Sequence, residues 1–278
     1  MTEEKTAGRT RSYRWVQDIP VIQRTEVLVV GGGSSGIAAA VASARNGAQT
    51  LLIDRYGFLG GTSTAGLVGP FMTSYSADGK TQVVRGIFQE MVERMVALGG
   101  AIDPGQVPAK SPYCAFIELG HAHVTPFHAE ALKMAALDLI EEAGVELLLH
   151  TSFLDTIMEG EVITGVVVAN KGGLGIIEAE RFIDTSADAD VAARAGVPYQ
   201  KGRPQDGLMQ PATLFFRIGN VDDAAVQAWV EEHERIHPGE RLFHCLVQEA
   251  REKGEFPVPR QHIGIYRELQ PGVWRVNT

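Results

Sequence analysis

Val27-Leu28-Val29-Val30-Gly31-Gly32-Gly33-Ser34-Ser35-Gly36 carries an apolar strand directly into a Gly31-x-Gly33-x-x-Gly36 turn. A helix of small residues opens at once, and a second apolar run, Leu51-Leu52-Ile53, ends on Asp54, 18 positions after Gly36. Each part has a task in gripping a dinucleotide. Gly31 permits the tight turn, Gly33 lets the backbone approach a pyrophosphate, and Gly36 lets the helix pack close to the sheet. Ser34 and Ser35 lie at the helix N-terminus, where free N–H groups and about half a unit of positive charge favour an anion. Asp54 is placed to accept hydrogen bonds from a ribose. With 31 glycines in 278 residues, a Gly-rich match alone says little; strand, turn, helix and acid in register say much more.

Composition fits an enzyme rather than a polyanion binder. The net charge of −9 argues against nucleic acid or an anionic membrane surface as partner. A 45% hydrophobic content supports a sizeable core. The two cysteines, Cys114 and Cys245, form neither a disulfide framework nor a C-x-x-C redox pair, which points to a reducing, cytoplasmic setting. Met1 to Pro20 lacks the apolar centre of a signal peptide, and no stretch reaches the roughly 20 apolar residues of a membrane span.

Past Asp54 the chain reads Arg55-Tyr56-Gly57-Phe58-Leu59-Gly60-Gly61-Thr62-Ser63-Thr64-Ala65-Gly66. Hydroxyls and glycines in so short a loop can lay donors along a pyrophosphate or a flavin edge. They also suit an ordinary surface turn. The place of the loop, directly after the ribose acid, favours cofactor contact.

These stretches resemble the FAD-dependent oxidoreductases of the two-dinucleotide-binding type, the wider group that includes fumarate reductase flavoproteins. The resemblance rests on Val29-Val30-Gly31-Gly32-Gly33-Ser34-Ser35-Gly36, Ile53-Asp54-Arg55 and Gly60-Gly61-Thr62-Ser63. It continues through Ile183-Asp184-Thr185-Ser186-Ala187-Asp188-Ala189-Asp190 and Asp206-Gly207-x-x-Gln210-Pro211-Ala212-Thr213-Leu214. It implies that Gly31, Gly33, Ser34, Ser35 and Gly36 hold the FAD pyrophosphate, and that Asp54 and Arg55 lie at the adenosine ribose. It also implies that Gly60, Gly61, Thr62 and Ser63 reach toward the flavin, with Asp188 returning to the pyrophosphate. No histidine sits in a motif like the covalent attachment site of succinate dehydrogenase, so the FAD is expected to be noncovalent.

The implied fold is α/β: a Rossmann-like FAD-binding domain with a three-stranded β-meander insertion, then the start of a mixed α+β substrate domain. Three segments are expected: an N-terminal extension over 1–24, the FAD-binding domain over 25–212, and a partial substrate or cap domain over 213–278. Periodicity supports the middle. Val84, Ile87, Phe88, Met91, Met95 and Leu98 recur at helical spacing, as do Leu132, Ala135, Ala136, Leu139 and Ile140. Residues 145–149 read as a short strand. Val162 to Ala169 alternates as a strand, and Gly172-Gly173 turns the chain into Ile176-Ile177 and Phe182-Ile183. Two helices are expected around 224–234 and 241–253.

Two departures stand out. Where the family usually has Thr-Gly-Asp, this chain has Ser186-Ala187-Asp188; a positive φ at Ala187 would carry roughly 1–2 kcal/mol of strain. Flavoproteins of this type also run well beyond this length. Strand 273–276 is therefore expected to lack a partner, with Phe215, Leu242, Leu246, Ile263, Ile265 and Trp274 only partly covered. Association through that end, or a missing C-terminal segment, follows from this expectation.

No second G-x-G-x-x-G follows a strand, so an NAD(P)H domain of the disulfide-reductase kind is not expected. His121, His123 and His128 cluster in Gly120-His121-Ala122-His123-Val124-Thr125-Pro126-Phe127-His128, but no nearby carboxylate or thiolate completes a metal site, and none is assigned. Arg217 suits either a carboxylate substrate or a surface ion pair. Glu231-Glu232-His233-Glu234-Arg235 reads as a solvated helix face. The expected function is a noncovalent FAD-dependent oxidoreductase acting on a small-molecule substrate. Catalytic residues are not signalled. The alternatives are an NAD-dependent enzyme built on the same fingerprint and a noncatalytic FAD-binding remnant.

Overall fold

The computed structural model describes residues 14–117 and 121–278; Gly120 of the histidine motif and most of the expected N-terminal extension fall outside them. The larger of two sheets is mixed and has six strands: β1 (Val21–Val30), β2 (Thr50–Ile53), β3 (Glu146–Leu148), β4 (Ser152–Glu159), β5 (Val162–Asn170) and β6 (Gly173–Asp184). Their spatial order is β3-β2-β1-β6-β5-β4. β1, β2, β3 and β6 run parallel, and β4 and β5 are antiparallel. β1 opens at Val21, so residues 21–24 belong to the sheet and Arg24 pairs with Glu178.

The apolar runs over residues 27–30 and 51–53 bury the end of β1 and β2 side by side, because a parallel strand covered on both faces cannot alternate with polar residues. On one face Val29 and Leu52 pack beneath α1 (Ser34–Arg45), α2 (Ile87–Ala97) and α3 (Ala129–Glu142). On the other, Leu28, Val30, Leu51 and Ile53 meet Val166, Val168 and Ile177 from β5 and β6. α1 can approach closely because its buried residues include Gly36 and Ala40 beside Ile37 and Val41. α2 starts at Ile87, after Gly86 at φ +64°, which leaves Val84 outside the helix and exposed.

The expected meander is present, with one difference. Its third strand and the strand that closes the dinucleotide-binding sheet are a single element. β6 pairs with β5 over 173–178 and with β1 over 176–184. The sequence shows two apolar pairs separated by Glu178, Ala179, Glu180 and Arg181. The polar residues among these four break the apolar pattern but not the strand.

The smaller sheet is antiparallel and holds β7 (Phe215–Ile218), β8 (Gly264–Arg267) and β9 (Trp274–Asn277). Here the expectation of an unpartnered strand is overturned. β9 lies in the middle of the order β7-β9-β8, with both edges hydrogen-bonded. Ile265 and Trp274 are buried, not partly covered; Phe215, Leu242 and Ile263 are half-buried and Leu246 is exposed. The strand finds partners 59 residues upstream in β7 and just before it in β8, contacts that periodicity cannot display.

Arg275 fastens this sheet to the helical layer. Its Nε donates to Glu268 Oε1 at 2.6 Å, and its Nη2 donates to the carbonyl of Phe127, just before α3, at 2.9 Å. Both charged side chains are almost fully buried. Arg217 reaches only the second oxygen of Glu268, at 3.7 Å, so the structure favours its ion-pair reading. α5 (Asp223–Ile236) is anchored through Asp223, which accepts from Trp274 Nε1 at 2.8 Å and faces Arg267 at 2.7 Å. α6 is His244–Glu252, starting three residues later than expected because Phe243 at φ +62° forms its N-cap.

Candidate dinucleotide-binding site

The C-terminal ends of β1 and β6 meet where the strand order reverses, with β2 built on one side of β1 and β6 on the other. Crevices at such a switch point bind ligands in open α/β sheets. The three glycines of the fingerprint behave differently there. Gly31 has φ +107°, and a Cβ on it would come within 2.5 Å of the Thr185 carbonyl. A Cβ on Gly36 would lie 1.8 Å from the Gly31 carbonyl. These two are demanded by the fold itself. A Cβ on Gly33 would meet nothing within 4 Å. Gly33 therefore faces open space, at the N-cap of α1.

That helix end suits a pyrophosphate. It has no side-chain cap and no acidic residue in its first turn, and Ser34 and Ser35 are exposed. Its free N–H groups remain available to an anion. The residues present thus fit the diphosphate of a dinucleotide, with the space, the donors and the dipole on one side.

The loop after β2 closes over this turn. Gly60 N–H donates to the Gly32 carbonyl at 2.8 Å, and Gly60 bridges Gly33. Gly61 begins a 3-10 turn, Gly61–Ser63, that leaves Thr62 exposed and Ser63 buried. Thr64, given no role from sequence, holds the loop: its hydroxyl donates to the Leu59 carbonyl at 2.8 Å. Arg55 is exposed, its guanidinium over the Tyr56 ring at 4.9 Å.

Asp54 is buried and already engaged. Oδ2 accepts from Gly32 N–H at 2.6 Å and Oδ1 from Tyr56 N–H at 2.7 Å. It braces the fingerprint turn against the following loop. Each carboxylate oxygen keeps a further lone pair for a ribose hydroxyl.

On the other side, β6 runs out beside the turn. Thr185 N–H donates to the Val30 carbonyl at 3.0 Å, and its one hydroxyl proton is shared between the Val30 and Gly31 carbonyls, at 2.9 and 2.8 Å. Asp184 folds the next segment by accepting from Ser186 N–H, the Ser186 hydroxyl and Ala192 N–H. Burial pushes its carboxyl up, but these donors outweigh burial and hold it below the usual carboxylate range. Asp188 is exposed on this segment. Thr185 and Asp184 were visible in the resemblance, but the bracing role of Thr185 depends on contacts across more than 150 residues, whereas Asp184 folds its own neighbours.

Ala187 has φ +80°, the left-handed conformation that the glycine-bearing motif anticipates. Restoring glycine removes a Cβ penalty that exceeds the opposing cost of a more flexible unfolded chain. Ala187→Gly is expected to raise stability by about 0.5–1 kcal/mol and to retain FAD at least as well. Urea unfolding and flavin content after gel filtration check this; a lower midpoint would contradict the strain.

The histidine motif does not form a joint site. His123 stacks on Tyr75 and its Nδ1 lies 3.0 Å from the Pro104 carbonyl, while His128 caps α3 by accepting from Glu130 N–H at 3.3 Å. His121 is half-buried with an unpartnered Nδ1, and burial pushes its pKa down. The helix face over 231–235 is also not uniformly solvated, since His233 is buried. Trp229 stacks on it, and Phe243 from the adjoining loop stacks on Trp229, contacts that the sequence pattern of charges concealed.

Residues 26–277 match the family described as FAD dependent oxidoreductase. The chain belongs to this family. Membership makes FAD the cofactor, in place of the NAD named in the alternative reading of the same fingerprint. A curated relative, thiamine thiazole synthase of Aeropyrum pernix, is 31% identical over 145 residues, 52% of this chain and 44% of the relative. The chain spans less than half the length of that relative. The flavin-dependent brominase Bmp2 superposes over 92% of this chain and 55% of its own, at 14% identity and a TM-score of 0.55, which shows the shared fold. A flavocytochrome c3 fumarate reductase aligns over 59% of this chain and 34% of its own, at 20% identity and a TM-score of 0.39. Among the described residues no helix is long and apolar enough to cross a membrane.

Proposed function

We propose that the chain is a noncovalent FAD-binding oxidoreductase acting on a small molecule. The observation that supports this most is the open space before Gly33, flanked by the first turn of α1, the Gly60–Gly61 strap and the Thr185–Asp188 segment. When bound, FAD supplies the electron transfer. The protein's part is positional. The N–H groups at Ser34 and Ser35 receive the pyrophosphate, and Asp54 offers its free lone pairs to the adenosine ribose while holding Gly32 and Tyr56. Arg55 lies at the same end. Thr62 and Ser63 carry their hydroxyls toward the flavin side, and Asp188 returns to the diphosphate from β6. The FAD-binding part is assigned to residues 25–212, together with residues 21–24 that open β1, and the substrate side to 213–278, with the small sheet as its base.

A cavity of about 540 Å³ opens where the helical layer meets the turn between β8 and β9, lined by Gly100, His128, Met134 and Gln270 among others. None of its lining residues belongs to the dinucleotide-binding set, so it is left outside the redox site. The synthase relative lends no substrate, since its match covers only half of this chain.

Asp54→Ala tests the ribose contact. Loss of a buried, charge-assisted acceptor costs about 1.5–3 kcal/mol, on the order of a tenfold to hundredfold weaker FAD complex. Titration of apoprotein with FAD, followed by flavin fluorescence, measures it. Unchanged affinity would remove Asp54 from the site.

A further inference from the structure

The far side of the small sheet carries a second cluster of chemically able residues. His233 and His237 are one helical turn apart, at the end of α5 and its C-cap, so they share a face. Cys245 lies in the first turn of α6. One ligand atom from each falls within 4.8 Å of the others. A second observation points the same way. His233 is only 5% exposed, and its Nε2 is buried with no hydrogen-bond partner. Burying an imidazole nitrogen without a partner is costly, and proteins seldom leave one so.

We propose that His233, His237 and Cys245 form a zinc site that ties α5 to α6. Two imidazoles and a thiolate suit a borderline-soft ion and are poor ligands for Mg2+ or Ca2+. In a tetrahedral zinc site, with bonds of about 2.0–2.3 Å, the ligand atoms stand roughly 3.3–3.8 Å apart. With every ligand atom within 4.8 Å of the others, the cluster is at most about an ångström looser than that, a gap that side-chain rotation of the exposed His237 and the half-buried Cys245 closes. Glu240 stands behind: its Oε2 lies 3.3 Å from His237 Nδ1, placed to accept that N–H and leave the other ring nitrogen for the metal. The fourth position is open to water. On binding, the Cys245 thiol gives its proton to solvent as the sulfur–zinc bond forms, so no oxidant or reductant is needed.

Three stacked rings already prepare the joint. Trp229 lies parallel to His233 at 5.1 Å and to Phe243 at 4.9 Å, which restricts His233 and the start of α6 together. A zinc ion across this joint would fix the two helices that flank the small sheet. The inference is independent of the FAD reading, because no ligand belongs to the dinucleotide-binding set.

The test uses the full 278-residue chain, freed of metal with a chelator. Zinc is titrated in competition with a chromophoric chelator, and Co2+ in a separate cell. One equivalent of zinc bound at submicromolar Kd is expected, with the visible bands of tetrahedral cobalt and a thiolate charge-transfer band. Cys245→Ser should abolish that band, and Cys245→Ser and His237→Gln should each weaken zinc at least about tenfold. Both residues are at the rim, so the variants are expected to fold; if either does not, the cobalt spectrum of the unsubstituted chain decides. Failure to take up one equivalent, an octahedral cobalt spectrum, or zinc affinity untouched by both substitutions would overturn the site.

Discussion

Gly33→Val is expected to give a folded protein without FAD. The backbone at Gly33 is extended, with φ −72° and ψ −176°, a conformation that valine accepts readily. A Cβ there meets no protein atom, so neither strand nor helix has to move. The added side chain instead fills the space assigned to the pyrophosphate. Retention of FAD should fall by at least a hundredfold, about 2.7 kcal/mol or more, while the far-ultraviolet spectrum and unfolding midpoint of the apoprotein stay near those of the parent. Gly36→Val supplies the contrast. Its Cβ would sit inside the Gly31 carbonyl, so it should lose the fold as well as the flavin. Equal flavin content in Gly33→Val and parent protein would remove the α1 N-terminus from the cofactor site.

The second large effect is expected at the buried ion pair. Arg275→Met removes the close partner of Glu268 and strands a carboxylate that is 2% exposed. Arg217, at 3.7 Å and itself half in solvent, cannot replace the 2.6 Å contact. Breaking such a pair costs about 3–5 kcal/mol, and here it also frees the Phe127 carbonyl. Replacing both partners, with Glu268→Leu added to Arg275→Met, should recover much of the loss, because no charge is then left buried. Urea unfolding of the two single variants and the double variant measures the coupling. A loss under about 1 kcal/mol for Arg275→Met would show that the pair is solvated and does not fasten the small sheet to the helical layer.

The sequence exposed the dinucleotide-binding turn because every constraint there is local. Gly31, Gly33 and Gly36 stand at the spacing that a strand–turn–helix requires, and the acid follows at the end of the next strand. Ala187 was legible for the same reason: one residue type standing where another backbone conformation is needed. The small sheet was not legible. Strand 274–277 pairs with 215–218, and nothing near Trp274 in the chain announces Phe215 as its neighbour. Arg275, Glu268 and Phe127 come together only in three dimensions, and so do His233, His237 and Cys245. Charged neighbours on 231–235 made a helix face look solvated; the ring of Trp229 decided otherwise for His233. Local pattern reports backbone geometry well and long-range pairing poorly, since a charge or a ring shows its partner only after the chain has closed on itself.

The continuity of β6 has a consequence for motion. Twelve residues run without a break from the meander hairpin at Gly173 to Asp184, beside the turn over residues 31–36 proposed to receive the pyrophosphate. Openings of a sheet propagate along such a ribbon as one cooperative unit, and whatever binds one end lowers the population of the opened state at the other. The hairpin at the distant edge is therefore not a passive ornament. Hydrogen exchange at the amides around Gly173 is expected to slow when FAD is bound, and exchange unchanged by FAD would show that the two ends of β6 open independently.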